Sequence, residues 1–533
     1  MSLPVACSST SAEPHHGFPA MTPFTVFALL YMAALCLELA EKWTYPLFTL
    51  VTFLLAIGIL STGVTRITFL IFLAVTTSHF LLVQFPDVAN HVNVALYCNL
   101  FMMVGIVVSL IRIRDYPTDN EYFAMIRPLL QITTILVYFL AGFSKLNSGF
   151  VDPGVSCVKM MVANLYAVPT TVIRGIPVGL LLIVGVAAVV YRLLSRRWQR
   201  RMLVPVAAGF GLTLIAAVIL LVLAPMPELV STATTLAVMT MVIVVISWEL
   251  IGGLSLAFPR FQLPLLVFSW GMHASLALIG FVDFGALALA LLFTFIPQPY
   301  LDLMQNRVRV PILGRSMHRA HLYFALNVFC GIVSGLHQRL VAGIIFNVAA
   351  LVLIWPLLSA LASPPPRPPW VGVPISIRTT PTWMFVFPCI LLLYGLTSYL
   401  GLRTAGNFTM FSNLRTEGPV SNHFLLSRNP LKLWNYQEDV VSFLEINDKK
   451  AKIGYQYQPL KGNQLPVVEF RKLIYQWTKA GWTVPMTFAY RGTLHSTRDI
   501  VNEPAWRTPA RDWEMVLMDF RVIQTDEPNQ CRW

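Results

Sequence analysis

Leu136-Val137-Tyr138-Phe139-Leu140-Ala141-Gly142-Phe143-Ser144-Lys145-Leu146-Asn147 is an apolar stretch that closes on a single lysine. The stretch is the end of a run, 128–146, that is long and apolar enough to cross a bilayer as a helix. An ammonium at the end of such a helix either snorkels to the interface or serves a function. Desolvation disfavours the charged form of an amine, so Lys145 is expected to be largely neutral at pH 7 and able to act as a base.

Runs of the same kind recur outward from this one. The chain has 533 residues, 56% of them hydrophobic and only 12% charged, and its mean hydropathy is +0.66. Soluble domains carry about 25% charged residues. Thirteen segments read as membrane spans: 22–41, 46–63, 67–85, 91–111, 128–146, 177–194, 203–224, 230–257, 263–281, 284–301, 320–336, 341–362 and 382–401. The short ones, 46–63 and 320–336, are also compatible with re-entrant or buried segments.

Basic residues give the sidedness. Alternate connections carry Arg66, Arg112, Arg114, Arg127, Arg192, Arg196, Arg197, Arg200, Arg201, Arg260, Arg307, Arg309, Arg315, Arg319, Arg367 and Arg378, which is 16. The opposite connections carry Lys42, Lys145, Lys159, Arg174 and Arg339, which is 5. The positive-inside rule puts the arginine-rich side in the cytoplasm, with the N-terminus inside, the C-terminus outside and Lys145 at the outer end of its helix. This sidedness accounts for most of the net charge of +13, so nucleic acid is not an expected partner. No cleaved signal peptide is expected in the polar first 20 residues.

The expected fold is therefore mainly α: a multi-pass transmembrane bundle of about 13 spans, N-in and C-out, with a small extracytoplasmic α+β domain at the C-terminus. Residues 1–20 read as a cytoplasmic tail, 21–300 as the principal membrane domain, and 301–401 as additional spans with a proline-rich inner linker at 364–369. Beyond Gly401 the composition changes, and residues 402–533 hold 30 of the 63 charged residues. There the alternating runs Val440 to Ile446 and Val516 to Val522 read as strands, and Pro466 to Lys479 as a helix closed by Gly481. Asn407-Phe408-Thr409 fits a glycosylation sequon. Of seven cysteines, only Cys157 and Cys531 fall outside; a disulfide is open to them, but the scattered spacing favours unpaired thiols, and no metal-type spacing occurs.

Several polar residues interrupt the spans. His79 lies toward the outer end of the third, and Asn90, His91 and Asn93 open the fourth. If the fourth and fifth helices are antiparallel neighbours, His91 and Lys145 share one depth, within direct or water-bridged reach. Glu38 and Glu41 close the first span at the same level and read as interfacial, while Glu249 and His273 lie deeper. Helix–helix hydrogen bonding is the plainer role for a membrane histidine or a protonated carboxylic acid.

Tyr138 to Leu146 resembles the lysine motif of vitamin K-dependent γ-glutamyl carboxylase and its bacterial relatives, the horizontally transferred transmembrane (HTTM) domain proteins. In the carboxylase that segment carries two adjacent lysines, the second being the base; Lys145 matches the second, and Ser144 replaces the first. Asn90-His91-Val92-Asn93 is similar to the family's Asn-His segment. Trp248-Glu249-Leu250, Pro259-Arg260, His273 and Gly280-Phe281 resemble the later half of the same domain, and Phe411 to Gly418 with Ser421-Asn422-His423 resembles a segment that follows it. The resemblance implies Lys145 and His91 as catalytic residues, and Asn90, Asn93, Glu249 and His273 as cofactor contacts. It implies reduced vitamin K or a related quinone as cofactor, chemistry on the extracytoplasmic side, and a protein or peptide acceptor that is carboxylated. The region beyond 401 is much shorter than the carboxylase's lumenal part, so quinone-linked chemistry is the firmer expectation. A transporter with an intramembrane polar path and a non-catalytic scaffold are the competing classes.

Overall fold

The computed structural model describes residues 21–41, 46–84, 89–172, 227–304, 307–310, 315–362, 372–417, 421–427, 432–446, 460–507, 514, 517–525 and 531. The expected spans 177–194 and 203–224, with the loop 192–201 between them, lie outside the described residues, as do the proline-rich stretch 364–369 and the tail 1–20.

The described chain is mainly helical. The long helices are α1 (Pro23–Glu41), α2 (Pro46–Thr62), α3 (Arg66–His79), α4 (Asn90–Ile111), α5 (Asp119–Ser144), α6 (Cys157–Val172), α7 (Pro227–Ile246), α8 (Pro259–Leu278), α9 (Val282–Phe293), α10 (Arg319–Gly335), α11 (Arg339–Ala362) and α12 (Val386–Gly395). Among the described residues, seven helical stretches are long and apolar enough to cross a membrane: Pro23–Ala40, Arg66–Val83, Asn90–Ile111, Asp119–Ser144, Thr235–Ser255, Pro259–Leu278 and Arg339–Ala360. Shorter apolar helices, Leu47–Thr62, Val282–Phe293 and Thr382–Gly395, accompany them. The expected span 284–301 is thus a short helix, α9, followed after a turn by Gln298–Met304.

Two helices show how burial is divided. Helix α1 is apolar on all sides through its middle and almost wholly buried, as a helix at the centre of a bundle must be. It packs against α2, α3, α5, α9 and α10. Helix α2 instead turns Leu47, Leu50 and Leu54 outward, and α7 turns out Leu236, Met239 and Ile243. A rim of large exposed apolar side chains suits lipid rather than water.

Helix α5 is fixed at both ends. A capping box starts it: Thr118 Oγ1 accepts from Glu121 N at 3.3 Å, and Thr118 N donates to Glu121 Oε2 at 2.8 Å. Lys145 is its C-terminal cap residue, and Asn147 then caps the short helix Ser148–Val151, its side chain accepting from Phe150 N at 2.9 Å. Alongside α5, α7 continues as a π-helical segment, Ser247–Gly252, and a last turn, Gly253–Ser255. The approach is close. A β-carbon on Gly142 would sit 2.6 Å from Leu250 N, and one on Gly253 would sit 2.7 Å from the β-carbon of Tyr138. Glycine at both positions lets the two backbones meet.

The C-terminal region is α+β. Four antiparallel strands, β3 (Val440–Ile446), β4 (Gln464–Pro466), β5 (Met486–Tyr490) and β6 (Thr493–Thr497), run in the order β4-β3-β5-β6. Helix α13 (Val467–Lys479) packs on them through Phe470, Ile474 and Trp477, and Gly481 follows with φ +66°. A separate hairpin, β1 (Arg307–Val310) with β2 (Arg315–His318), precedes α10.

Two expectations fail here. Met518 to Ile523 is not a strand of alternating exposure: these residues are buried in succession, and Ile523 makes only an isolated bridge to Gln464. Its backbone partners are a loop and side chains. Asp519 O accepts from Thr404 N at 2.9 Å, Phe520 N donates to Glu469 Oε2 at 3.1 Å, and Arg521 N donates to Thr404 Oγ1 at 3.2 Å. Nor are Cys157 and Cys531 thiols: they form a disulfide across 374 residues of sequence, because the chain end folds back over the start of α6.

Candidate functional site

Lys145 is almost wholly buried, and its Nζ lies 2.7 Å from Glu249 Oε2. The same nitrogen donates to Ala141 O at 3.3 Å and sits 5.8 Å from the centre of the Phe150 ring. Glu249 reaches it because it rides on the π-helical turn that Gly142 and Gly253 admit against α5. A wide turn of this kind re-aims a side chain within a helix and is common at functional sites. Glu249 thus links the two helices through its contact with Lys145.

Two turns earlier on α5, Tyr138 carries a second polar group. Its hydroxyl is 2.7 Å from His273 Nε2 and 2.8 Å from Ser269 Oγ, both on α8. One O–H donates once, so the hydroxyl donates to one of the two and accepts from, or turns a lone pair to, the other. The Tyr138 ring meets Trp248 edge-on at 5.5 Å, next to Glu249 in sequence.

His91 belongs to a third group. Its Nε2 is 2.7 Å from Glu38 Oε2 and 2.8 Å from Asp283 Oδ2. Glu38 is buried, at 3% exposure, with its carboxylate on His91. The Phe284 ring separates this cluster from Tyr138 and His273, lying 6.1 Å from the His91 ring and 4.9 Å from the His273 ring. Among the described residues no hydrogen bond or ion pair joins His91 to Lys145; each has its own carboxylate partners. The side chain of Glu41 lies outside the described residues. His79 is buried with its ring against Phe48 and Phe80.

Asn90 and Asn93 face a loop rather than the lysine. Asn90 Oδ1 accepts from Phe408 N at 2.5 Å, and Asn93 Nδ2 donates to Gly406 O at 2.8 Å. That loop and the segment after it close over the end of α5. Asn147 Nδ2 donates to Ser412 O at 2.5 Å, Asn413 Oδ1 accepts from Cys157 N at 2.9 Å, and His423 Nε2 donates to Phe143 O at 2.9 Å. Phe408, Phe411 and Asn413 all adopt positive φ, a concentration of left-handed backbone that only tight surroundings hold in place. Asn407 is buried and donates to Ser398 Oγ at 2.6 Å and to Thr397 Oγ1 at 2.9 Å, so the sequon is closed to a glycan in the folded protein.

An apolar groove of about 290 Å³ is lined by Val151, Met239, Val242, Ile243, Ile246 and Ser247, and neither Lys145 nor Glu249 is among its lining residues. Val151 ends the short helix after Lys145, and Ser247 opens the π-helical turn that carries Glu249.

Sequence reasoning did not single out Asp283, Tyr138 or Ser269. Asp283 had the clearest signal, a carboxylate inside apolar sequence. At the first turn of α9, however, an acid has an ordinary explanation in the helix dipole, and its Oδ1 does accept from Phe284 N at 2.7 Å. No protein-family model matches the chain, and neither a curated protein nor a solved structure matches it.

Proposed function

We propose that this chain is a multi-pass membrane enzyme that takes a proton from a reduced quinone, with Lys145 as the base and Glu249 as its proton partner. The observation that carries the reading is the buried contact of Lys145 Nζ with Glu249 Oε2 at 2.7 Å. Such a pair exists either as ammonium and carboxylate or as amine and carboxylic acid. In the second form Lys145 presents a lone pair. The hydroxyl O–H of a hydroquinone breaks, the N–H of Lys145 forms, the hydroquinone anion keeps the electron pair, and the carbonyl oxygen of the still-protonated Glu249 accepts a hydrogen bond from the ammonium that results. An isolated buried lysine has no such outlet for its charge.

The apolar groove supports a lipid-soluble substrate. Its volume is at the lower end of those that hold small ligands. A flat ring with an isoprenoid tail suits walls of Val, Ile and Met better than a polar metabolite does. The later steps implied by the resemblance to the carboxylase, namely oxygen addition, epoxide formation and carboxylation of an acceptor, belong to this proposal as its continuation. His91 is not assigned as a direct partner of Lys145.

The site is read as extracytoplasmic, with residues 402–533 outside. The 16-to-5 basic asymmetry supports this, and so does the Cys157–Cys531 disulfide, since such bonds persist in oxidising compartments. The deciding experiment is lipid extraction and mass spectrometry of the purified protein. A co-purifying quinone, lost when Ile243 and Ile246 in the groove are replaced by bulky Trp, is the expected result. A lipid extract with no quinone from active membranes rejects the reading.

A further inference from the structure

Glu38, His91 and Asp283 reach one point from three helices, α1, α4 and α9. Helix α1 is a central, wholly apolar helix except at this end, and Glu38 and Asp283 are buried. One imidazole nitrogen faces two carboxylate oxygens at 2.7 and 2.8 Å. A ring nitrogen has a single N–H or a single lone pair, in one direction in the ring plane. It can serve one carboxylate well, but not two. Around the three polar groups the walls are apolar, formed by Ala34, Leu35, Val92, Ala95 and Leu287.

We propose that Glu38, His91 and Asp283 form a binding site for one divalent first-row metal ion. A dication with a neutral imidazole and two carboxylates is uncharged overall, and a lone pair on Nε2 points at a metal as it would at a proton. The three ligand atoms lie within 4.8 Å of one another, and two ligands on opposite sides of such an ion stand about 4.2 Å apart. The present spacing is tighter than a coordination shell, so binding moves the carboxylates outward by a few tenths of an ångström. The residues also border a cavity of about 10 Å³, about the volume that admits one water. Three protein ligands and a water position make an open site rather than a closed structural one. Two oxygens and one nitrogen, with no thiolate, select zinc, manganese or ferrous iron over copper(I), and the imidazole disfavours calcium and magnesium. The site does not rest on the quinone reading, because it shares no residue with the Lys145–Glu249 pair.

The test uses the full chain in detergent, stripped with EDTA, reloaded with Zn²⁺ and desalted. The expected result is about one Zn²⁺ retained per chain by elemental analysis, with a raised melting temperature. Glu38→Gln and Asp283→Asn keep shape and hydrogen bonding but remove charge, and should weaken binding about 10- to 100-fold or more, what loss of an outer partner alone costs. Co²⁺ supplies a second readout in the parent chain, visible absorption bands from a low-symmetry oxygen–nitrogen site, which decides the matter even where a variant fails to fold. Retention of less than about a tenth of an equivalent by the parent overturns the proposal, since a preformed structural or catalytic site holds its metal through desalting. Equal retention by the parent and both carboxamide variants overturns it as well.

Discussion

At the scale of single residues, the chemistry turns on which carboxylate each cation or imidazole meets. Lys145 meets Glu249 at 2.7 Å, and two substitutions separate its roles. Lys145→Arg keeps a positive charge but cannot give up its proton, and Lys145→Ala removes both. If Lys145 is the base, both variants insert normally and lose quinone-dependent oxygen consumption by about 100- to 10,000-fold, the contribution of a general base. Parental oxygen uptake by the Arg variant leaves Lys145 as an anchor. Gly142 tests the geometry from the other side. Its β-carbon would stand 2.6 Å from Leu250 N, so Gly142→Ala should push the π-helical turn off α5, at a cost of about 1–3 kcal/mol for overpacking. Glu249 then withdraws from Lys145. A Gly142→Ala protein with parental melting temperature and activity would show that the close approach is dispensable.

At the scale of elements, the stretches 406–417 and 421–425 act as a clasp on the C-terminal end of α5. Its hold depends on the protonation state of His423. Leu425 N donates to His423 Nδ1 at 3.2 Å while Nε2 donates to Phe143 O at 2.9 Å, so the ring is held as the neutral Nε2–H tautomer. Burial lowers the His423 pKa below its ordinary value of 6.5, although the hydrogen bond to Phe143 opposes this. The unfolded chain then binds a proton that the folded chain refuses. The stabilisation is complete above pH 6.5 and is lost as pH falls from there through the lowered folded value. Amide exchange of residues 421–425 should accelerate on acidification across this window, and His423→Gln should abolish the dependence. Exchange that is independent of pH once the intrinsic rate is removed would count against the clasp.

At the scale of the whole molecule, a bundle and a small α+β unit are held as one piece by backbone hydrogen bonds from the loop 404–413, by the buried Met518–Ile523 thread and by the Cys157–Cys531 disulfide. Cys531→Ser should leave the bundle intact while letting the end of the chain lift from α6. Protease added to the outer face of sealed membranes is expected to cut within 402–533, and to cut faster in the Cys531→Ser variant. Protection of that region in sealed membranes, with cleavage only after lysis, would reverse the sidedness and place the disulfide in a reducing compartment.

The sequence by itself determined the helical class, the sites of the apolar segments and the small α+β region after Gly401. These follow from local quantities: the length of an apolar run, the period of its pattern and the residues that stop it. Lys145, His91, Glu249 and His273 were legible for the same reason, since an ionisable group in an apolar run is conspicuous wherever it folds. Pairing was not legible. Equal depth on neighbouring helices suggested that His91 serves Lys145, but depth says nothing of the rotation of a helix about its axis. Rotation is set by side-chain packing, such as Gly142 against Leu250 and Phe284 between His91 and His273. Only the tertiary structure gave Lys145 to Glu249, His273 to Tyr138, and His91 to Glu38 and Asp283. It alone turned Met518–Ile523, within a run read as an alternating strand, into a buried thread and joined two cysteines 374 residues apart, because both outcomes depend on contacts between parts of the chain that no local pattern connects.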